Sequence, residues 1–518
     1  MHLTQNWEIR KPGVAAKGGV VVSQSRTAAS VGADVLHAGG TAVDATVATA
    51  LALAALEPWN NGLGAIGFMV VHRAGAAHAE VIDFGPVAPG RLDPADFPLT
   101  GASKTELFTW PQVEDDRNIH GPLAFAIPSA VRGYAAAVER FGRLPWRELA
   151  APAAALARQG LPVDWFTTIK VAAAAAELSL YEESRRIWLP EGLPPVCPPE
   201  RDNMRLPLGR LADTLKHLAT AGPDDFYTGD IAHTIADDLQ AAGAVLSADD
   251  LANCRARIMP ALAIGYRDTV LQTAPGMTAG PTLAFVVERL KSRRFGAAPD
   301  AAYFDTIIAA LSEAYADRLD HAGDVETAAP TSTSHITAID REGTIAALTT
   351  TLLSSFGSRY VLPGTGILMN NGVMWFDPRP DRPNSIAPGK RALTNMCPVV
   401  AMRDGRAWFG LGASGGRRIL AAVLQMASFV IDFGMDPASA AHHPRIDVNG
   451  STRFGIDQRM PRAIAQPLLA KPGATLVEHG VFPTRFACPN MVLHGADGRN
   501  HAISDVMSPW SGAVAEPD

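Results

Sequence analysis

The hydrophobic pattern of the chain switches repeatedly between a helical period and a strand period. Residues 18–58, GGVVVSQSRTAASVGADVLHAGGTAVDATVATALALAALEP, predict a strand, a helix, a break at Gly39–Gly40 and a second, Ala-rich helix. FMVVHRAGAAHAEVIDFG (68–85) predicts a hairpin of two apolar runs around a Gly turn. SAVRGYAAAVERFGRLPWRELAAPAAALARQG (129–160) predicts two helices, and a mostly helical region follows to about Leu251. Ser247 in SADDLANC has the position of an N-cap. AIGYRDTVLQTAPGMTAGPTLAFVVERL (263–290) reads as strand, strand, loop, helix, and YFDTIIAALSEAYADRL (303–319) as an amphipathic helix.

Beyond that helix the character changes. HAGDVETAAPTSTS (321–334) reads as a loop of small residues, followed by the β-type runs HITAID, TIAALTTTLL and PVVAMRDGRAWFGLG, then the helix RRILAAVLQMASFVID. No repeat of 20 to 50 residues is visible. Helices on both sides of strand-rich segments predict a layered α/β architecture, one two-part domain without a disordered linker.

Composition bounds the partners. The 518 residues are 47% hydrophobic and 19% charged, with a net charge of −7, enough for a large core. No Lys/Arg block stands out, so nucleic acid is not an expected partner. No run of eighteen apolar residues and no signal-like N-terminus is found, so no membrane contact is expected and the cytoplasm is the expected location. Cys197, Cys254, Cys397 and Cys488 lack metal or disulfide spacing and are expected as reduced thiols. Neither a metal nor an organic cofactor is called for.

Two stretches hold candidate nucleophiles. GASGG (412–416) matches G-x-S-x-G between a strand and a helix. Ser414 could attack with help from His479, His494 or His501; the glycines could simply make a tight turn; or the Gly amides could hold an oxyanion, the preferred of the three. The second stretch, TSTSHITAIDREGTIAALTTTLLSSFGS (331–358), is crowded with hydroxyls. Thr suits strands, which alone explains it. If the chain is cut before Thr333, however, the new α-amine is a base with a pKa of roughly 7.7 to 8.0, able to activate the Thr hydroxyl.

Six ordered motifs decide between these accounts. GGTAVDATVATALALAALEPWNNGLGAIGFMVV, PSAVRGYAAAVERFGRLPW, EAYADRL, TSHITAIDREGTIAALTTTLLSSFGS, GTGILMNN and GASGGRRI together resemble the γ-glutamyltransferase family, a branch of the N-terminal-nucleophile hydrolases, over nearly the whole chain. The resemblance implies a four-layer αββα sandwich. It also implies self-cleavage between Ser332 and Thr333 into a large segment, 1–332, and a small one, 333–518. The two would remain together as a heterodimer, with a dimer of such heterodimers open. Thr333 would be the nucleophile, Thr351 its hydrogen-bonding neighbour, and Gly415 and Gly416 the oxyanion pair. Ser414 is then not the attacker. His335 is expected to be structural, as are Asn60 and Asn61; Asn370 could either position substrate or hold a turn.

The same resemblance marks departures. The family's substrate-binding Arg, in F-R-E-T-A-P, becomes Gly85 in FGPVAP, and its acid, in NNEMDDF, becomes Trp375 in NNGVMWF. The Asn before the FGS motif becomes Leu353, the Ser-Ser pair becomes Thr394-Asn395, and Thr333 follows Leu319 by only fourteen positions. Both ends of a glutamyl clamp are lost. The expectation is therefore an amidohydrolase of this family acting on a small-molecule non-glutamyl amide, and NNGVMWFDPRPDRPNSIAPGKRALTNMCP (370–398) resembles the family's oxamate amidohydrolase-like branch. Arg359 could contact a substrate carboxylate, Trp375 could wall the pocket, and Asn371, Thr394 and Asn395 could touch substrate. The alternatives are a true γ-glutamyltransferase or glutathione hydrolase, a cephalosporin-type acylase, and an unprocessed, non-enzymatic homologue.

Overall fold

The computed structural model describes residues 7–103, 110–198, 200–201, 203–322, 331–450, 453–481 and 485–517. Fourteen strands form two seven-stranded antiparallel sheets. In chain order they are β1 (Val14–Ala16), β2 (Val20–Ser23), β3 (Ile66–His72), β4 (Glu80–Phe84), β5 (Arg257–Pro260), β6 (Leu262–Tyr266) and β7 (Thr269–Thr273). They continue as β8 (Thr331–Ile339), β9 (Ile345–Ser354), β10 (Val399–Arg403), β11 (Arg406–Ser414), β12 (Cys488–His494), β13 (Asn500–Ser504) and β14 (Gly512–Ala515). The first sheet runs β14-β2-β8-β9-β3-β4-β5 and the second β1-β13-β12-β11-β10-β7-β6.

Three apolar cores identify the layers. Ile336, Ala338, Ala346 and Leu348 point from the first sheet into helices α1 (Arg26–His37), α2 (Ala42–Leu56), α3 (Ala130–Phe141), α4 (Trp146–Gln159), α5 (Trp165–Leu178) and α6 (Leu211–Ala221). Ile264, Val399, Leu411 and Met491 point from the second sheet into α7 (Gly280–Leu290), α8 (Ala301–Ala322) and α9 (Arg418–Phe433). Between the sheets lie Val22, Phe68, Ile345, Val400 and Val492. Successive strand residues face opposite sides, so each strand feeds two cores. This is the αββα sandwich the sequence resemblance implies.

Local chemistry supports the expected elements. Ser25 caps α1, Thr41 and Asp44 form a reciprocal capping box at α2, and Ser247 caps its helix as expected. All fifteen residues of α2 are buried, which suits a helix apolar on every side. One expectation is corrected: the loop over 321–334 is not a loop at either end, because 321–322 close α8 and Thr331–Ser334 already belong to β8, whose pairing to β9 draws them into the sheet. The rest of that stretch, 323–330, lies outside the described residues. Among the described residues no helix is long and apolar enough to cross a membrane.

Candidate active site

The centre of the first sheet carries hydroxyls on both faces, and nearly all are satisfied. Toward the helices, Ser334 Oγ donates to Glu57 Oε2 at 2.6 Å and Thr350 Oγ1 to Asn61 Oδ1 at 3.0 Å. Burial raises the Glu57 carboxyl above its ordinary range, against the opposing pull of Ser334, Lys170 and Asn60. Toward the second sheet, the His335 ring nitrogens meet Thr349 Oγ1 at 2.9 Å and Thr337 Oγ1 at 2.8 Å. Ordinary β-propensity would not require partners for so many side chains; burial does.

Thr333 sits at an irregularity. Ser332 pairs with Leu353 and Ser334 with Thr350, so two residues, Thr351 and Leu352, face the single Thr333. The bulge brings three groups to one hydroxyl. Thr351 Oγ1 donates to the Ser332 carbonyl at 2.5 Å, accepts the Leu353 N–H at 2.8 Å and lies 3.3 Å from Thr333 Oγ1. A Thr hydroxyl has one proton and two acceptor sites. With its proton on Ser332, Thr351 must accept from Thr333, so the direction of the network is fixed by counting. Leu353 adopts φ +83, a conformation costly for a bulky residue, and its N–H reaches back to Thr351.

The second sheet brings its glycines directly opposite. A Cβ on Gly410 would come within 2.5 Å of the Thr337 methyl, and one on Gly412 within 2.1 Å of the His335 ring. The two strands are therefore in register as 410 over 337 and 412 over 335. Continued by one step, the same register would set Ser414 opposite Thr333. Gly415 (φ +140) and Gly416 (φ +57) both have a positive φ, and a Cβ on Gly415 would lie 2.7 Å from Ala487 Cα, so neither tolerates a side chain without strain. Their amides precede the N-terminus of α9, where N–H groups and the helix dipole favour negative charge.

Ser414 is not arranged as an attacker. Its Oγ accepts from Gln24 Nε2 at 2.8 Å, and the neighbouring His335 ring is committed to two threonines. The downstream histidines pair elsewhere: His479 with Asp457, His494 with Asn500, His501 with Asp497. Burial lowers the His335 imidazole to about 3, so it stays neutral at physiological pH. The unfolded chain takes up that proton near 6.5 and the folded chain only near 3, so stability falls as pH drops through this window, by about 1.4 kcal/mol per unit. Urea unfolding at pH 7, 6 and 5 is expected to show the His335→Gln variant less stable at pH 7 and the gap closing by about 2 kcal/mol at pH 5. A gap independent of pH would show that His335 does not carry this acid sensitivity.

The remaining expected site residues fall into two groups, some in the row of Thr333 and some committed to the scaffold. Pairing of Ile66 with Thr351 and of Gly67 with Phe84 puts Gly85 in one row with Ile66, Thr351 and Thr333, roughly 14 Å from Thr333 at about 4.8 Å per strand. A Cβ at Gly85 would lie 2.4 Å from Phe68 Cζ, so an aromatic ring occupies the space a side chain there would need. Trp375 is buried in the inter-sheet core, and Asn384 Nδ2 donates to its carbonyl. Asn371 holds Ser354 and the Ile119 carbonyl, and Asn370 holds Gly64 and Ala126. Thr394 bonds the Met277 carbonyl, its own carbonyl accepts from the buried Arg318 guanidinium, and Asn395 beside it is half-buried. Arg359, at φ +61, pairs with Glu177 of α5 at 2.9 Å and with the Gly357 carbonyl. Its charge is thus already balanced within the protein. Sequence reasoning missed Gln24, Glu57 and Arg318; Glu57 and Arg318 each left a signal, as the last charges of the motifs GGTAVDATVATALALAALEPWNNGLGAIGFMVV and EAYADRL.

The sequence profile described as gamma-glutamyltranspeptidase matches residues 28–332 and 326–506. The chain belongs to this family. It is 30% identical over 500 residues to the acylase ACY 1 proenzyme of Pseudomonas sp. (strain SE83), covering 89% of this chain and 88% of that protein. It is also 30% identical over 489 residues to the glutathione hydrolase proenzyme of Escherichia coli (strain K12), covering 83% and 81%. Among solved structures, a cephalosporin acylase from Bacillus halodurans superposes with a TM-score of 0.87 at 23% identity over 99% of both chains, a likeness of fold. The gamma-glutamyltranspeptidase-family chain is accordingly an amide-hydrolysing enzyme of the N-terminal-nucleophile class, and a Thr nucleophile is consistent with that membership.

Proposed function

We propose that this gamma-glutamyltranspeptidase-family enzyme cuts itself between Ser332 and Thr333 and then hydrolyses a small, non-glutamyl acyl amide, with oxamate the smallest candidate. The hydroxyl relay at the bulge carries the first half of the proposal. Thr333 Oγ1 attacks the Ser332 carbonyl carbon as its proton passes to Thr351, whose own proton goes to the Ser332 oxygen. The C–N bond then breaks, the Thr333 nitrogen takes a proton, and water hydrolyses the resulting ester. Ser332 is left as a carboxylate and Thr333 with a free α-amine; segments 1–332 and 333–518 stay packed as one heterodimer, since β8 lies between β2 and β9. In turnover that amine takes the Thr333 proton, Oγ1 attacks the substrate carbonyl, and Gly415 and Gly416 N–H groups receive the oxyanion. The amine product leaves and water releases the acyl group.

The substrate half rests on one observation: Phe68 fills the space at Gly85, and Trp375 is apolar and buried where the resembling motif has an acid. Without the motif's Arg and acid at these two positions, a glutamyl group's carboxylate and ammonium lose the partners that would replace their water. A second reading, an acylase for a larger acyl amide, draws support from the acylase among the relatives. Parallel assays with oxamate, a glutaryl anilide and γ-glutamyl anilide test both. Turnover of either of the first two at least about 10²-fold faster than the γ-glutamyl anilide is expected. Preference for the γ-glutamyl compound would overturn the proposal and return the enzyme to glutathione-type chemistry.

A further inference from the structure

Thr333 and the Gly415–Gly416 turn belong to different sheets, so catalysis depends on how firmly the sheets are joined at that level. One tie is Asn490 Nδ2 of β12, which donates to the His335 carbonyl at 2.7 Å; the backbone pairing of β2 stops short of this level. β2 pairs with β8 only from Thr337 to Ile339, leaving His335 beyond the end of that pairing. Its N–H donates instead to the side chain of Gln24, which lies just past β2, with Oε1 at 2.7 Å. The other end of the same amide, Nε2, donates to Ser414 Oγ at 2.8 Å, in the residue immediately before the oxyanion turn. Gln24 and Ser414 are both buried. One side chain thus spans from the nucleophile strand, two residues beyond Thr333, to the turn that receives the oxyanion.

We infer that Gln24 and Ser414 form a clasp that positions the oxyanion turn against Thr333. Ser414 stands where the motif it resembles, GSPGG, has a proline whose ring would fix the backbone. Here a hydrogen bond supplies the constraint. The serine of G-x-S-x-G thereby acquires a role other than attack, since its hydroxyl anchors the turn. Gln24 is a positioning residue, acting through His335 and Ser414 without touching substrate. A misplacement near 1 Å costs on the order of 10²-fold in rate, so losing the clasp should be visible in kcat.

The inference rests on Gly415 and Gly416 being the oxyanion donors, and its test separates the two ideas. Self-cleavage runs through Thr351, so Gln24→Met, equal in length but without the amide, is expected to cut itself at the wild-type rate. Its kcat per titrated active site should fall by about ten- to a hundredfold, with KM within about twofold. Gln24→Glu still accepts from His335, and the Ser414 hydroxyl can turn to donate to it, so kcat should largely recover. Ser414→Ala, a smaller change, should match Gln24→Met, and the double variant should lose no more than either single one. Unchanged kcat in Gln24→Met and Ser414→Ala, equal loss in Gln24→Glu, losses that multiply, or failed self-cleavage would each overturn the clasp. Gly415→Ala serves as the control: if it stays active, the oxyanion assignment falls, whereas an inactive Gly415→Ala beside a fully active Gln24→Met removes the clasp alone.

Discussion

Thr333→Ala is expected to leave one uncut chain where the wild type gives two fragments parted at Ser332–Thr333. Intact mass after incubation at neutral pH reads this directly. The substitution removes the oxygen proposed to attack in both self-cleavage and turnover, so kcat/KM should fall by roughly 10⁴-fold or more. Folding should survive. The lost hydroxyl makes one side-chain contact, to Thr351, and a buried hydrogen bond contributes about 1 kcal/mol. Thr333→Ser keeps the oxygen and should still be cut. A Thr333→Ala protein that is cut and active would displace the nucleophile altogether. A stable, uncut and inactive wild type would point to a homologue that has lost its chemistry.

The parts of this site that sequence revealed are those made by neighbours in the chain. The hydroxyl-rich runs of β8 and β9, the strand–Gly–Gly–helix passage at 412–418 and the buried Ala-rich α2 all follow from local pattern. What stayed hidden depends on residues far apart or on a local rule being broken. Gln24 and Ser414 lie 390 positions apart, and neither type announces a contact between sheets. Phe68 closing the space beside Gly85 is a cross-strand effect no motif records. Leu353 and Arg359 take positive φ, where Gly or Asn would be the usual choice. The folded core imposes both conformations, so no propensity could have signalled the Leu353 N–H on Thr351 or the Arg359 pairing with Glu177. G-x-S-x-G misleads for the opposite reason: the motif is local, but the histidine that would make it catalytic must come from elsewhere, and among the described residues none does.

Thr351→Val keeps the shape of the side chain and removes its three hydrogen bonds. Before cleavage, the Ser332 carbonyl loses its donor and Thr333 loses the acceptor that takes its proton. Deleting one such donor to a developing oxyanion costs about 10² to 10³ in rate, so self-cleavage should slow by that factor. The buried Leu353 N–H is also left without its acceptor, which should cost about 1–3 kcal/mol of stability. Thr351→Ser restores both terms. The two reactions should respond unequally. Once the chain is cut, Ser332 no longer holds the carbonyl under attack, and the α-amine of Thr333 has taken over as base. Thr351 then contributes only its contact with Thr333 Oγ1, so kcat per cut molecule should fall by about tenfold, as for one ordinary hydrogen bond. Time courses by intact mass, paired with turnover normalised to the cut fraction, separate the two numbers. Equal losses in both would make Thr351 a general support of the nucleophile; a loss confined to self-cleavage would make the hydroxyl relay a device used once, to create the α-amine that replaces it.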